Sequence, residues 1–139
     1  PYTTLFRSAK NLSGLNDAAK IIYQNNKEKG FWDKERNVGE MLMLVTSELG
    51  EAMEAHRKGR FSNWENFDKN KGTHNFESDE VKFKTSFQIC IKDTFEDEIA
   101  DAIIRLLDIS AGLGIDIEKH INAKVKFNIS RPKLHGKEY

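Results

Sequence analysis

The sequence predicts an all-α fold of four to five helices, and three observations predict it. Only two prolines occur, Pro1 and Pro132, so almost nothing between them interrupts a helix. Apolar residues recur three and four positions apart in four separate segments. Glycines stand where most of those segments end.

The first predicted helix runs from about Ser13 to Lys29, with Leu15, Ala18, Ala19 and Ile22 at helical spacing and Gly30 as its stop. Phe31 and Trp32 follow in a loop that ends near Asn37. The second runs from about Gly39 to Lys58. Met41, Leu42, Val45, Leu49, Ala52 and Met53 form its apolar face, and Gly59 follows. The third runs from about Phe95 to Leu113, and Thr94 with Asp97 three residues on reads as a capping box. Its apolar face is broad, with Ile99, Ala102, Ile103, Leu106, Leu107 and Ile109, which suits a bundle core or an oligomer interface. The fourth starts at Asp116, a good N-cap, and reaches about Asn128.

Residues 60–93 break this rhythm; their first part is polar with isolated aromatics, Phe61, Trp64, Phe67 and Phe76, and reads as a loop or insertion. From Val81 to Ile91 two patterns compete. Phe83, Phe87, Cys90 and Ile91 fit a helix face, while Phe83, Thr85, Phe87, Ile89 and Ile91 alternate like a strand. A short helix suits an otherwise helical chain better.

The chain has 139 residues, enough for one domain with a real core. The expected division is an N-terminal tail over residues 1–12, read as a fragment edge or cloning remnant, and one helical domain over 13–139. Basic and acidic residues number 22 each. A zero balance argues against a general nucleic-acid binder. No run of about 18 apolar residues is present, so no membrane span is expected. Cys90 is the single cysteine and cannot form an internal disulfide, which suits a reducing, cytoplasmic setting.

Along the chain the neutral sum separates. From Glu40 to Glu54 there are four acids and no Lys or Arg; from Asp93 to Asp101 there are five acids and none. Two pairs share one spacing: Glu48 with Glu51, and Glu98 with Asp101. Residues three apart are neighbours on a helix face, and oxygen-rich clusters suit hard cations such as Mg²⁺ or Mn²⁺. With Val45 at zero on a helical wheel, Glu48 falls at roughly −60°, inside the apolar arc, and Glu51 at roughly −120°, on its edge. A carboxylate inside a core-facing arc is costly unless paired or coordinated. Glu98 and Asp101 lie on the polar stripe of their helix with Asp97, Arg105 and Asp108, and periodicity leaves cleft and solvent equal there. Near the C-terminus, Lys124, Asn128 and Arg131 stand at i, i+4 and i+7, a pattern that suits phosphate oxygens.

Glu48-Leu49-Gly50-Glu51 followed by Glu98-Ile99-Ala100-Asp101 resembles the E-x-x-E…E-x-x-D signature of the all-α nucleoside triphosphate pyrophosphohydrolases, a superfamily that includes dimeric dUTPases. Lys29-Gly30-Phe31-Trp32, the run from Ser47 to Ala52, Lys124 to Asn128, Arg131-Pro132 and His135-Gly136-Lys137 resemble its MazG-like branch. The gap at residues 60–93 is longer than the family's usual link. The resemblance implies a hydrolase acting on acid anhydrides, which cleaves the α–β bond of a nucleoside triphosphate to the monophosphate and pyrophosphate. It implies that Glu48, Glu51, Glu98 and Asp101 hold Mg²⁺, or Mn²⁺, and carry the catalysis. Lys124, Asn128 and Arg131 would bind phosphates and Trp32 would stack on the base, although a buried tryptophan is an equal reading. It also implies a homodimer or homotetramer. Phosphoribosyl-ATP pyrophosphohydrolase belongs to the same superfamily and is a second enzyme reading. The non-enzyme alternative is a catalytically silent helical oligomerisation or nucleotide-sensing module. A di-iron bundle is disfavoured, because no histidine follows a glutamate by three positions.

Overall fold

The structure is a computed structural model, and it describes residues 14–73 and 77–132. The expected tail at 1–12, Phe76 and the His135-Gly136-Lys137 segment lie outside the described residues. Among the described residues there are six helices and no strand, so the all-α expectation holds. They are α1 (Leu15–Glu28), α2 (Val38–Arg57), α3 (Trp64–Thr73), α4 (Asp79–Cys90), α5 (Phe95–Gly112) and α6 (Ile117–Ile129). None is long and apolar enough to cross a membrane.

The described chain groups into two compact units. One comprises residues 36–73 and 77–106; the other comprises residues 14–35 and 107–132.

In the first unit, α2 begins where the Asn37 side chain accepts a hydrogen bond from the Glu40 amide at 3.0 Å. It ends at Gly59, whose φ of 65° lets Arg60 N bond back to the Ala55 carbonyl at 2.9 Å. Met41, Val45, Glu48, Ala52 and Ala55 form its buried stripe. Every member of that stripe lies three or four residues from the next, so Glu48 is flanked by core residues along the helix.

The first part of residues 60–93, expected as a polar loop, instead contains α3, and the short helix favoured over 81–91 is present as α4; the two form a helical hairpin. Asn63 caps α3 by accepting from Asn66 N at 2.9 Å, and Ser78 caps α4 by accepting from Val81 N at 3.3 Å. Phe67, Cys90 and Ile91 are buried together, with Phe87 packed against them. Aromatic rings continue the seam: Trp64 meets Phe67 edge-on, Phe67 meets Phe83 edge-on, and Phe83 stacks on Phe87. Trp64 and Phe67, which look isolated in sequence, thus join one cluster once the hairpin closes, while Phe61 packs edge-on against His56 and Phe95. The strand alternative for residues 81–91 fails because Ile89, which it would bury, is 68% exposed.

The capping box expected at α5 also differs in detail. Asp97 accepts from the amide of Asp93 at 3.0 Å, one residue earlier than such a box requires. The Thr94 hydroxyl turns away to donate to the Ile91 carbonyl at 2.6 Å. Asp93 adopts a φ of 59°, which aspartate tolerates better than most residues.

In the second unit, Ala18, Ala19 and Leu107 are buried, with Ile22, Ala111 and Ile117 against them. Asp116 caps α6 as expected, accepting from Lys119 N at 3.1 Å. The N-termini of α1 and α6 also cap one another. Leu15 N donates to Glu118 Oε1 at 2.6 Å, Asn16 Nδ2 to Asp116 Oδ1 at 2.8 Å, and Glu118 N to Asn16 Oδ1 at 3.2 Å. No residue of α6 is fully buried.

Candidate metal centre

Helices α2 and α5 bring three of the four sequence-selected carboxylates together. One oxygen each from Glu48, Glu98 and Asp101 lies within 4.8 Å of the others. Glu48 and Glu98 are buried, and Asp101 is half-buried. On α5, Glu98 and Asp101 therefore face Glu48 of α2 rather than open solvent. Glu51 is exposed one turn from Glu48, with its side chain within hydrogen-bonding reach of Glu98.

Periodicity places Arg105 on the same stripe but gives it no role. Arg105 forms an ion pair through Nε with Glu48 Oε1. The signal was present in the spacing, since Glu98, Asp101 and Arg105 stand at i, i+3 and i+7 on one face of α5. This guanidinium offsets only part of the negative charge. Burial, together with the charges of Glu51, Asp101 and Glu48, pushes the Glu98 carboxyl up to about 7. Burial, with Asp97 and Glu48 nearby, also holds Asp101 above the usual carboxylate range, against the opposing pull of Arg105. Four acids around one cation leave an electrostatic deficit that a hard divalent ion fits, with oxygen ligands alone.

The other selected residues lie in the second unit. Trp32 is half-buried there and donates through Nε1 to Asp108 Oδ1 at 3.0 Å, while Tyr23 meets its ring edge-on at 5.2 Å. Its six-membered ring lies over Gly112, where any Cβ would collide with it. This ring has a packing role in that unit. Lys124 Nζ and the Arg131 guanidinium both sit over Phe127, at 5.2 and 5.8 Å from the ring centroid. Asn128 is half-buried next in the chain. The three basic-face residues are thus gathered about one aromatic, although Arg131 falls just past the end of α6.

Comparison with protein-family models, with curated proteins and with solved structures returns no match.

Proposed function

We propose that this chain is a divalent-metal-dependent nucleoside triphosphate pyrophosphohydrolase, cleaving the α–β phosphoanhydride to a nucleoside monophosphate and pyrophosphate. The observation that carries the reading is the buried carboxylate trio of Glu48, Glu98 and Asp101, with Glu51 beside it. The short signature Glu48-Leu49-Gly50-Glu51 and Glu98-Ile99-Ala100-Asp101 is what specifies nucleotide chemistry.

Glu48, Glu98 and Asp101 would hold Mg²⁺, or Mn²⁺, with Glu51 completing the set. When bound, the cation supplies charge neutralisation at the phosphate oxygens and activation of water. Arg105 fixes the orientation of the Glu48 carboxylate and balances its charge in a buried place. Glu98, whose carboxyl is raised to about 7, would be held as the carboxylate by a bound cation. Lys124 and Arg131 supply positive charge, and Asn128 a neutral donor, for phosphate oxygens.

A pyrophosphate-release screen over canonical and modified nucleoside triphosphates, with Mg²⁺ and with Mn²⁺, tests the reading. Turnover of at least one triphosphate, abolished by EDTA, supports it. Metal binding without release of pyrophosphate from any triphosphate would replace it with the sensing-module alternative. Turnover confined to phosphoribosyl-ATP would replace it with the second enzyme reading.

The proposal includes a homo-oligomer. On α2, Leu42, Leu49 and Met53 are exposed at i, i+7 and i+11, and on α5 Ile103 and Leu106 are exposed as well. Met53 is 65% exposed. An apolar seam of this kind on a small protein marks a contact surface, and a second copy of the chain can cover it with the same seam. Leu49→Lys combined with Met53→Lys is expected to convert the oligomer to monomer by analytical ultracentrifugation. A wild-type chain that sediments as a monomer would refute the assembly.

A further inference from the structure

The helical hairpin has a second cleft that the metal centre does not use. It measures about 690 Å³ and opens where α2 ends and α3 begins. Arg60, Phe61, Asn63, Asn66, Asn70 and Lys92 line it, together with one acid, Asp93. The volume suits a small organic ligand. Its wall is rich in donors, and its charges are only partly balanced.

Lys92 pairs with Asp93 at 2.6 Å, and Lys69, which also lines the cleft, pairs with Glu65 at 2.6 Å. Arg60 is different. Its backbone is engaged on both sides, with Arg60 N on the Ala55 carbonyl and Phe95 N on the Arg60 carbonyl. Among the described residues its guanidinium makes no hydrogen bond or ion pair. Glu54, whose carboxylate feels the Arg60 charge, is already shared by Lys58 at 2.9 Å and Arg57 at 3.4 Å. The cleft therefore carries a guanidinium with no ion-pair partner among the described residues, a planar fork suited to two oxygens of one phosphoryl group.

The amides add a second kind of recognition. Asn63 uses its oxygen to cap α3, and Asn70 uses its nitrogen on Cys90 Sγ at 3.3 Å. Asn66 Oδ1 and Nδ2, Asn63 Nδ2 and Asn70 Oδ1 make no hydrogen bond among the described residues. They offer both donors and acceptors, which a heteroaromatic base edge needs. Phe61 supplies an apolar plane. It is 49% exposed, and it meets His56 and Phe95 edge-on, which leaves ring surface for stacking.

We propose that this cleft binds a nucleoside monophosphate without a metal ion, with the phosphoryl group on Arg60 and the base against Phe61 and the asparagine amides. The cleft is one turn from the metal centre along α5: Thr94 lines it, and Glu98 follows four residues later. A monophosphate there is a ligand in its own right, whether or not the carboxylate centre hydrolyses anything.

Isothermal titration in EDTA tests this, using the four common nucleoside monophosphates, their nucleosides and inorganic phosphate. At least one monophosphate is expected to bind with a Kd below about 1 mM. It should bind roughly tenfold more tightly than its nucleoside or inorganic phosphate. Arg60→Ala and Asn66→Asp are each expected to weaken binding about tenfold, with circular dichroism unchanged. Glu51→Gln, which disables the proposed metal centre, is expected to leave it intact. Three results overturn the proposal: no saturable binding of any monophosphate, binding untouched by both cleft variants, or binding abolished by Glu51→Gln.

Discussion

Replacing Glu51 with glutamine is expected to lower Mg²⁺-dependent pyrophosphate release by at least about 100-fold while leaving the helices intact. The choice of residue follows from exposure. Glu48 and Glu98 are buried, and removing Glu48 would strand the Arg105 guanidinium that pairs with it. Loss of activity in a Glu48 variant would therefore mix chemistry with folding. Glu51 is exposed, so the amide keeps the shape and the solvent contact and removes only the charge. Pyrophosphate release by a coupled assay, read beside circular dichroism and thermal melting, separates the two causes. Release at the wild-type rate would remove Glu51 from the ligand set.

The second large effect concerns Glu98 and runs in opposite directions with and without metal. Its carboxyl is pushed from 4.5 to about 7 in the folded chain. Below pH 4.5 the group is protonated in both folded and unfolded states, and no penalty exists. As pH rises from 4.5 to about 7 the unfolded chain releases its proton first, so the folded state loses stability across that window. The full loss is at most roughly 3 kcal/mol above pH 7. Glu98→Gln removes the titration. In EDTA at pH 8 it is expected to melt several degrees higher than wild type. Mg²⁺ should stabilise the wild type and leave Glu98→Gln nearly unchanged. Melting curves at pH 5 and pH 8, with EDTA and with Mg²⁺, give all the comparisons. A Glu98→Gln chain less stable than wild type at pH 8 in EDTA would contradict the burial argument.

Much of this was readable from residue spacing, because spacing reports which face of a helix a residue occupies. Glu48 inside the apolar arc of α2 is the clearest case, and the helix does bury it. Asp116 as a cap, and Gly30 and Gly59 as stops, rest on local chemistry that the rest of the fold does not override. Of the α3–α4 hairpin, the helix over residues 81–91 was legible, but α3 and the pairing of the two were hidden for the opposite reason. Its helices are held by Phe67 meeting Cys90 and Ile91 across about 23 residues of chain, and pairing at that range leaves no trace in a local window. The stripe on α5 was undecided for a related reason. Whether Glu98 and Asp101 meet water or Glu48 depends on α2, and no periodicity within α5 records that. Arg105 shares their spacing, yet only the ion pair with Glu48 reveals what it is for.

The reciprocal capping of α1 and α6 has a dynamic consequence. Helix α6 is anchored by Ile117 and by three exposed or part-buried hydrogen bonds, with no fully buried residue along its length. Little apolar surface must be rehydrated for it to open, so its free energy of local unfolding lies far below that of α2, whose buried stripe runs from Met41 to Ala55. In native-state hydrogen exchange, α6 amides should exchange by local fluctuation while α2 amides wait for global unfolding. Uniform protection along both helices would contradict this. Lys124 and Asn128 thus ride on the element that is cheapest to displace, and an anion that fixes them would be felt first as slowed exchange along α6.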